Sequence, residues 1–221
     1  MRALLQLIIV LLPWPLKRRV LRLCYGYELH PGARVGIAWV FPKRLVMAQG
    51  SVIGHLTLCK GLDLLRLGEH ASIGRLNWIT AYPLGDSRHF AHLPARRPVL
   101  LVAEHAAITN RHIIDCTECV EIGRYATVAG MRSQLLTHSI NLPAGRQDAR
   151  PIRIGAYTFV GTACTILGGA ELPDYSVLGA ASLLRNVFDE RYRLYSGVPA
   201  REVSQLDPQM KYFSRTEGYV I

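Results

Sequence analysis

Residues 154–184 read IGAYTFVGTACTILGGAELPDYSVLGAASLL, and an aliphatic residue opens every sixth step: Ile154, Val160, Ile166, Leu172, Leu178 and Leu184. A small residue usually follows, as at Gly155, Gly161 and Gly179. A period of six matches neither the 3.6-residue turn of a helix nor the two-residue pleat of a lone strand. It fits a solenoid of triangular coils, three flat sides of about six residues each, with the aliphatic side chain on the axis and the small neighbour at the corner. Stacked coils pair as parallel strands about 4.8 Å apart, and only the stack buries the apolar row.

The same rhythm runs upstream through Val35, then Met47 and Ile53, then Leu67, Ile73 and Ile79, then Val102, Ile108 and Ile114, then Ile122 and Val128. Two polar stretches interrupt it, AYPLGDSRHFAHLPARRP (81–98) and NLPAGRQDARP (141–151), both rich in turn residues. They are expected to be loops thrown out from the coils, on the working face where solenoid insertions gather. After Leu184 the period stops. A short helix or arm packed outside is expected near residues 206–213. The chain therefore divides into an N-terminal amphipathic segment (1–28), an all-β solenoid (29–203) and a C-terminal arm (204–221).

Composition narrows the class. Of 221 residues half are hydrophobic, and 26 Lys and Arg against 16 Asp and Glu give a formal charge of +10. Such a balance suits nucleic acid, a phosphate-bearing cofactor or an anionic membrane. Its distribution favours the membrane. Arg2, Lys17, Arg18, Arg19 and Arg22 supply half the excess within the first 23 residues, where no acid occurs. The apolar run ALLQLIIVLLPWPL (3–16) is shorter than the roughly 20 residues of a spanning helix and is broken by Pro13 and Pro15. From there Leu16, Val20 and Leu23 fall at helical spacing, with Lys17, Arg18, Arg19 and Arg22 on the other face. That is the pattern of a helix lying in the headgroup region; a helix capping the core is the alternative. The five scattered cysteines indicate thiols in a reducing compartment, and Cys116-Thr-Glu-Cys119, a lone C-x-x-C, reads as buried thiols ahead of a zinc or redox pair.

The order of three motifs is more specific: LLTHSI before a loop, then PIRIGAYTFVGTACTILGGAELPDYSVLGAASLL, then YSGVPAREV. In that order the sequence resembles the hexapeptide-repeat acyltransferases, and among them the sugar O-acetyltransferases that act on galactosides, maltose, nodulation factors and exopolysaccharides. The resemblance spans about residues 29–203 and is densest over 122–203. It implies a left-handed parallel β-helix, packing as a homotrimer, and acetyl-coenzyme A as acyl donor with no metal. His138 falls on the family's catalytic base, which takes the proton of an acceptor hydroxyl so that the oxygen attacks the thioester directly. Coenzyme A in this family lies between subunits, and the matching positions are Thr162, Ala180, Arg185 and Arg201; Arg185 stands where relatives usually carry Thr or Ser. Asn110, Arg111 and Asp115 fall where relatives place polar residues near the acceptor sugar, while Arg132, Ser133 and Arg146 are acceptor candidates from their positions around the base and its loop.

The expected partners are thus a second and third copy, acetyl-coenzyme A, a saccharide acceptor that the apolar N-terminus suggests is lipid-linked, and the inner face of a bacterial cytoplasmic membrane; nucleic acid is not expected. Two other readings use the same solenoid. A γ-class carbonic anhydrase draws three histidines to one metal, two of them about five residues apart on adjacent rungs. His105 and His112 here are seven apart, and His89 and His92 lie in a loop. A non-catalytic scaffold would bind no coenzyme A.

Overall fold

The computed structural model describes residues 2–85 and 89–220. Its body is a parallel β-helix of seven coils with three flat faces, each face a sheet to which every coil adds one short strand. One ladder of inward side chains runs up each face. Leu29, Met47, Leu67, Val102, Ile122, Ile154 and Leu172 stack in register on the first. Val35, Ile53, Ile73, Ile108, Val128, Val160 and Leu178 line the second, and Val40, Cys59, Ile79, Ile114, Leu135, Ile166 and Leu184 the third. All are buried in one continuous core. Each such aliphatic side chain contributes about 1.5–3 kcal/mol on leaving water, and each depends on the coils above and below to be covered.

The period of six is locally broken where Val128 is followed by Leu135 rather than residue 134. The extra residue sits at the corner between second and third faces. Gly130 takes φ of +69° there, and a Cβ at that position would lie 2.6 Å from Thr162 Oγ1 of the next coil. Glycine is what lets the wider corner close.

Two helices cap the first coil: α1 (Arg2–Leu11) and α2 (Trp14–Tyr25), separated at Pro13. Gly26 ends α2 in the left-handed conformation, its N–H returning to Arg22 O at 3.1 Å. Ile9 and Leu21 are the apolar residues that α1 and α2 plug into the core. Lys17 departs from the expected basic outer face. It is buried, its ammonium donates to Gly36 O at 2.8 Å, and burial lowers its pKa. So α2 packs through Lys17 and Leu21, and Leu16 and Leu23 point outward.

The far end differs from expectation as well. Past Leu184 the chain adds an antiparallel pair, Arg193–Gly197 and Ala200–Gln205, to the second face. The arm then turns through a 3₁₀ helix, Lys211–Ser214, and lies along a stack of rings at the corner between first and second faces. His70, His105, Tyr125, Tyr157, Tyr175 and Tyr192 pile ring on ring with centroids 4.6–5.2 Å apart. Phe213 meets this column edge-on at Tyr175 and Tyr192, and Arg215 lies over the Tyr212 ring and donates to Tyr125 O.

Candidate active site

Both interruptions of the repeat leave from the same corner, at the end of the third face. Residues 81–98 follow the strand Trp78–Thr80 of the third coil. Two coils on, the strand Gln134–Leu136 leads into a β-hairpin, His138–Asn141 paired with Arg146–Ala149. The stretch expected as a loop at 141–151 is therefore mostly hairpin. Between the two departures lies the strand Ile113–Asp115 of the fourth coil.

Asp115 Oδ2 accepts hydrogen bonds from the His138 ring at Nδ1 (2.8 Å), the His138 backbone N–H (3.1 Å), and both the hydroxyl (2.6 Å) and N–H (3.0 Å) of Thr137. Its Oδ1 accepts from the Thr117 hydroxyl at 2.6 Å. Burial on its own would raise the Asp115 carboxyl, but the hydrogen bonds from His138, Thr117 and Thr137 and the charge on His138 outweigh it and hold the group below its ordinary value. An ionised carboxylate can only accept, so the ring presents Nδ1–H to Asp115, and it is Nε2 that is left to exchange a proton with a bound molecule. His138 keeps 31% of its side chain exposed against 9% for Asp115. The pair is a partly exposed imidazole fixed by a buried carboxylate. Asp115, placed by resemblance near the acceptor, hydrogen-bonds the His138 ring.

The first insertion returns over this histidine. Tyr82 and Phe90 stand edge-on to the His138 ring, with centroids 5.5 and 6.3 Å away. Phe90 is buried beneath Arg96, whose guanidinium lies 4.4 Å from the ring centroid. Arg96 is itself buried and donates to Tyr82 O, Pro83 O and Thr117 O at 2.7, 3.0 and 2.6 Å. A guanidinium with its donors spread over three carbonyls pins the loop to the coil carrying Asp115. None of Tyr82, Phe90, Arg96, Thr117 and Thr137 stands out in the sequence. A Phe and an Arg inside a polar insertion are the available sign.

Behind the third face His112 is fully buried. Its Nδ1 accepts from Ser133 N–H at 3.1 Å and its Nε2 faces Thr109 Oγ1 at 3.0 Å. Desolvation lowers its pKa to about 4 against a partial opposing effect of the Ser133 bond. The folded state thus holds the imidazole neutral while the unfolded chain protonates it below about pH 6.5. Stability is full above that pH and falls as pH drops from about 6.5 towards 4, by about 3 kcal/mol in total. Urea midpoints measured between pH 7.5 and 4.5 should show this decline, and it should flatten in His112→Gln.

Ser133, an acceptor candidate, is buried in the same network: its hydroxyl accepts from Cys164 N–H at 3.2 Å. It binds coil to coil and offers no surface to an acceptor. His105 lies in the corner ring stack, and His112 in its own network, so neither is turned towards a shared metal. Cys116 and Cys119 are buried free thiols, that of Cys119 pushed up to about 12 by burial.

No family model and no curated protein matches the chain. Solved structures do. The N-acyltransferase AntD of Bacillus cereus, a point mutant in complex with dTDP-4-amino-4,6-dideoxyglucose and coenzyme A, superposes with a TM-score of 0.54 at 11% identity over 80% of this chain and 88% of its own. A hexapeptide-repeat-containing acetyltransferase of Vibrio cholerae gives 0.50 at 18% identity over 93% and 88%. The fold is the left-handed β-helix of the hexapeptide-repeat transferases.

Within this left-handed β-helix the remaining candidates separate into two groups. Asn110, Arg111, Arg132, Thr162 and Ala180 climb the corner that opens the third face, on successive coils. Arg111 and Arg132 are exposed there with φ of 58° and 65°. Asn110 Oδ1 accepts from Arg75 N–H at 2.7 Å, and Thr162 Oγ1 donates to Met131 O at 2.9 Å, both fastening one coil to the one below. His138 and Asp115 sit at the opposite edge of that face. Arg185 follows the last strand of the third face, Arg201 lies exposed on the added hairpin of the second, and Arg146 is exposed near the tip of the hairpin that His138 opens. Within one chain, therefore, Thr162 and Ala180 stand across the third face from His138, whereas Arg185 follows the third face at the edge His138 leaves from and Arg201 lies on the second.

Proposed function

We propose that the protein is an acyltransferase that moves an acetyl group from acetyl-coenzyme A to a saccharide hydroxyl. The observation that carries this reading is the His138–Asp115 pair: an imidazole whose Nδ1 is held by a buried carboxylate, at the root of one insertion and walled by the rings of another. The fold shared with AntD, crystallised with coenzyme A and a nucleotide-linked sugar, supports it. His138 Nε2 takes the proton of the acceptor hydroxyl as its oxygen attacks the thioester carbonyl carbon. The tetrahedral oxyanion collapses with cleavage of the carbon–sulfur bond, and the imidazolium returns the proton to the departing thiolate. No residue is acylated on the way.

The separation of Thr162 and Ala180 from His138 across one face supports a site assembled between copies of the chain in a homotrimer, with the base from one copy and the cofactor corner from its neighbour. Arg201 and Arg185 would meet coenzyme A phosphates, and Arg111, Arg132 and Arg146 the acceptor. The test is release of free thiol from acetyl-coenzyme A by the purified chain, with and without a bacterial lipid-linked saccharide extract. Extract-dependent release with a hydroxylamine-labile product supports transfer to oxygen. A hydroxylamine-resistant product would instead mark an amide and an amino-sugar acceptor. No release, together with no heat of coenzyme A binding in calorimetry, would leave a scaffold.

A further inference from the structure

The helical cap has two faces, and the β-helix uses one. On the outward side of α1, Leu4, Leu5, Leu7, Ile8 and Leu11 are each about half exposed or more, and α2 adds Leu16 and Leu23, the latter 75% exposed. Single exposed aliphatics are ordinary, whereas seven on two adjoining helices of 10 and 12 residues form a ledge that needs a partner. Beside it opens a concavity of about 870 Å³ between α2 and the first coils, walled by Arg18, Arg19, Arg22 and His30, with Glu28 as its one carboxylate. No described helix is long and apolar enough to cross a membrane.

We infer that the cap docks the protein on an anionic lipid bilayer, the aliphatic ledge entering the acyl boundary and the arginine-walled concavity receiving lipid phosphates. Charge complementarity selects this occupant. A second copy would bring the same arginines against these, a repulsion that an isologous contact cannot avoid. A bilayer with anionic headgroups supplies apolar surface and negative charge side by side, in the order in which the cap presents aliphatics and arginines. The short helices suit lying in that boundary and not spanning it. Docking is independent of acyl transfer, and its test reads no activity.

The experiment is flotation of the full chain with vesicles of neutral phosphatidylcholine and with vesicles containing phosphatidylglycerol. Wild type should float with the anionic vesicles and bind neutral ones far less. Arg19→Gln combined with Arg22→Gln should weaken binding to anionic vesicles roughly thirtyfold. Leu7→Glu combined with Ile8→Glu, at outward positions, should abolish flotation while thermal unfolding stays that of wild type. Equal binding to both vesicle types, or indifference to the arginines, would overturn the headgroup assignment. Absence of flotation, or a self-associated species in sedimentation that Leu7→Glu/Ile8→Glu dissolves, would overturn membrane docking and assign the ledge to another copy.

Discussion

His138→Ala is expected to transfer acetyl groups about a thousandfold more slowly than wild type, within the range that positioned proton transfer contributes. The loss should fall on kcat, with the KM for acetyl-coenzyme A little changed, because the imidazole acts on the acceptor proton. Folding should survive. Asp115 still receives the hydroxyls of Thr117 and Thr137 and backbone N–H groups when the ring is gone. His138→Asn refines the test: its amide can donate to Asp115 as Nδ1–H does, yet has no lone pair of comparable basicity. Thiol-release kinetics on both variants decide the matter. Near-normal turnover in either would remove His138 as base.

Asp115→Asn should cost a similar factor for a different reason. Oδ2 faces four donor groups in Thr137 and His138, and Oδ1 faces two in Thr117. An asparagine must turn its NH₂ to one side or the other. If it faces His138, the ring is driven to the other tautomer and Nε2 is no longer free, a change that can lower kcat by as much as about 10⁴. In either orientation the NH₂ opposes buried N–H donors, those of Thr137 and His138 on one side and that of Thr117 on the other, at a cost of about 1–3 kcal/mol. The rate distinguishes the two, because only the amide turned to His138 disturbs the ring. An Asp115→Asn protein with rate and thermal stability both unchanged would show that the carboxylate does not orient the base.

The ladder could be read from the residues because each rung must present one aliphatic side chain per side, and the six-residue recurrence records that geometry directly. Where the chain inserts, the record fails. Asp115 and His138 are 23 residues apart, and the coil register alone aligns Asp115 with Leu136; the extra residue at Gly130 and the outward departure at His138 set the rest. Sequence spacing carries no trace of which carboxylate will lie under which imidazole when corners vary in length. Tyr82 and Phe90 are hidden for a similar reason, since their position follows from Arg96 gathering three carbonyls across a polar loop. The corner rings are within reach. His70, His105, Tyr125, Tyr157 and Tyr175 each stand three places after a first-face ladder residue, Leu67, Val102, Ile122, Ile154 and Leu172. In α2, Lys17 counts by spacing with the outer charges, though its long stem reaches a carbonyl of the first coil.

A stack of coils advances in equal steps of about 4.8 Å, the spacing of paired strands. His138 leaves from the fifth coil and the helical cap closes the first, so four steps, roughly 19 Å, lie between them. The β-helix is in this sense a gauge as well as a support. Removing or adding one whole coil below the third would shift His138 along the axis by about 5 Å and leave its hydrogen bonds to Asp115 as they are. The height of the pair above the cap and the geometry within the pair are set by separate stretches of the chain.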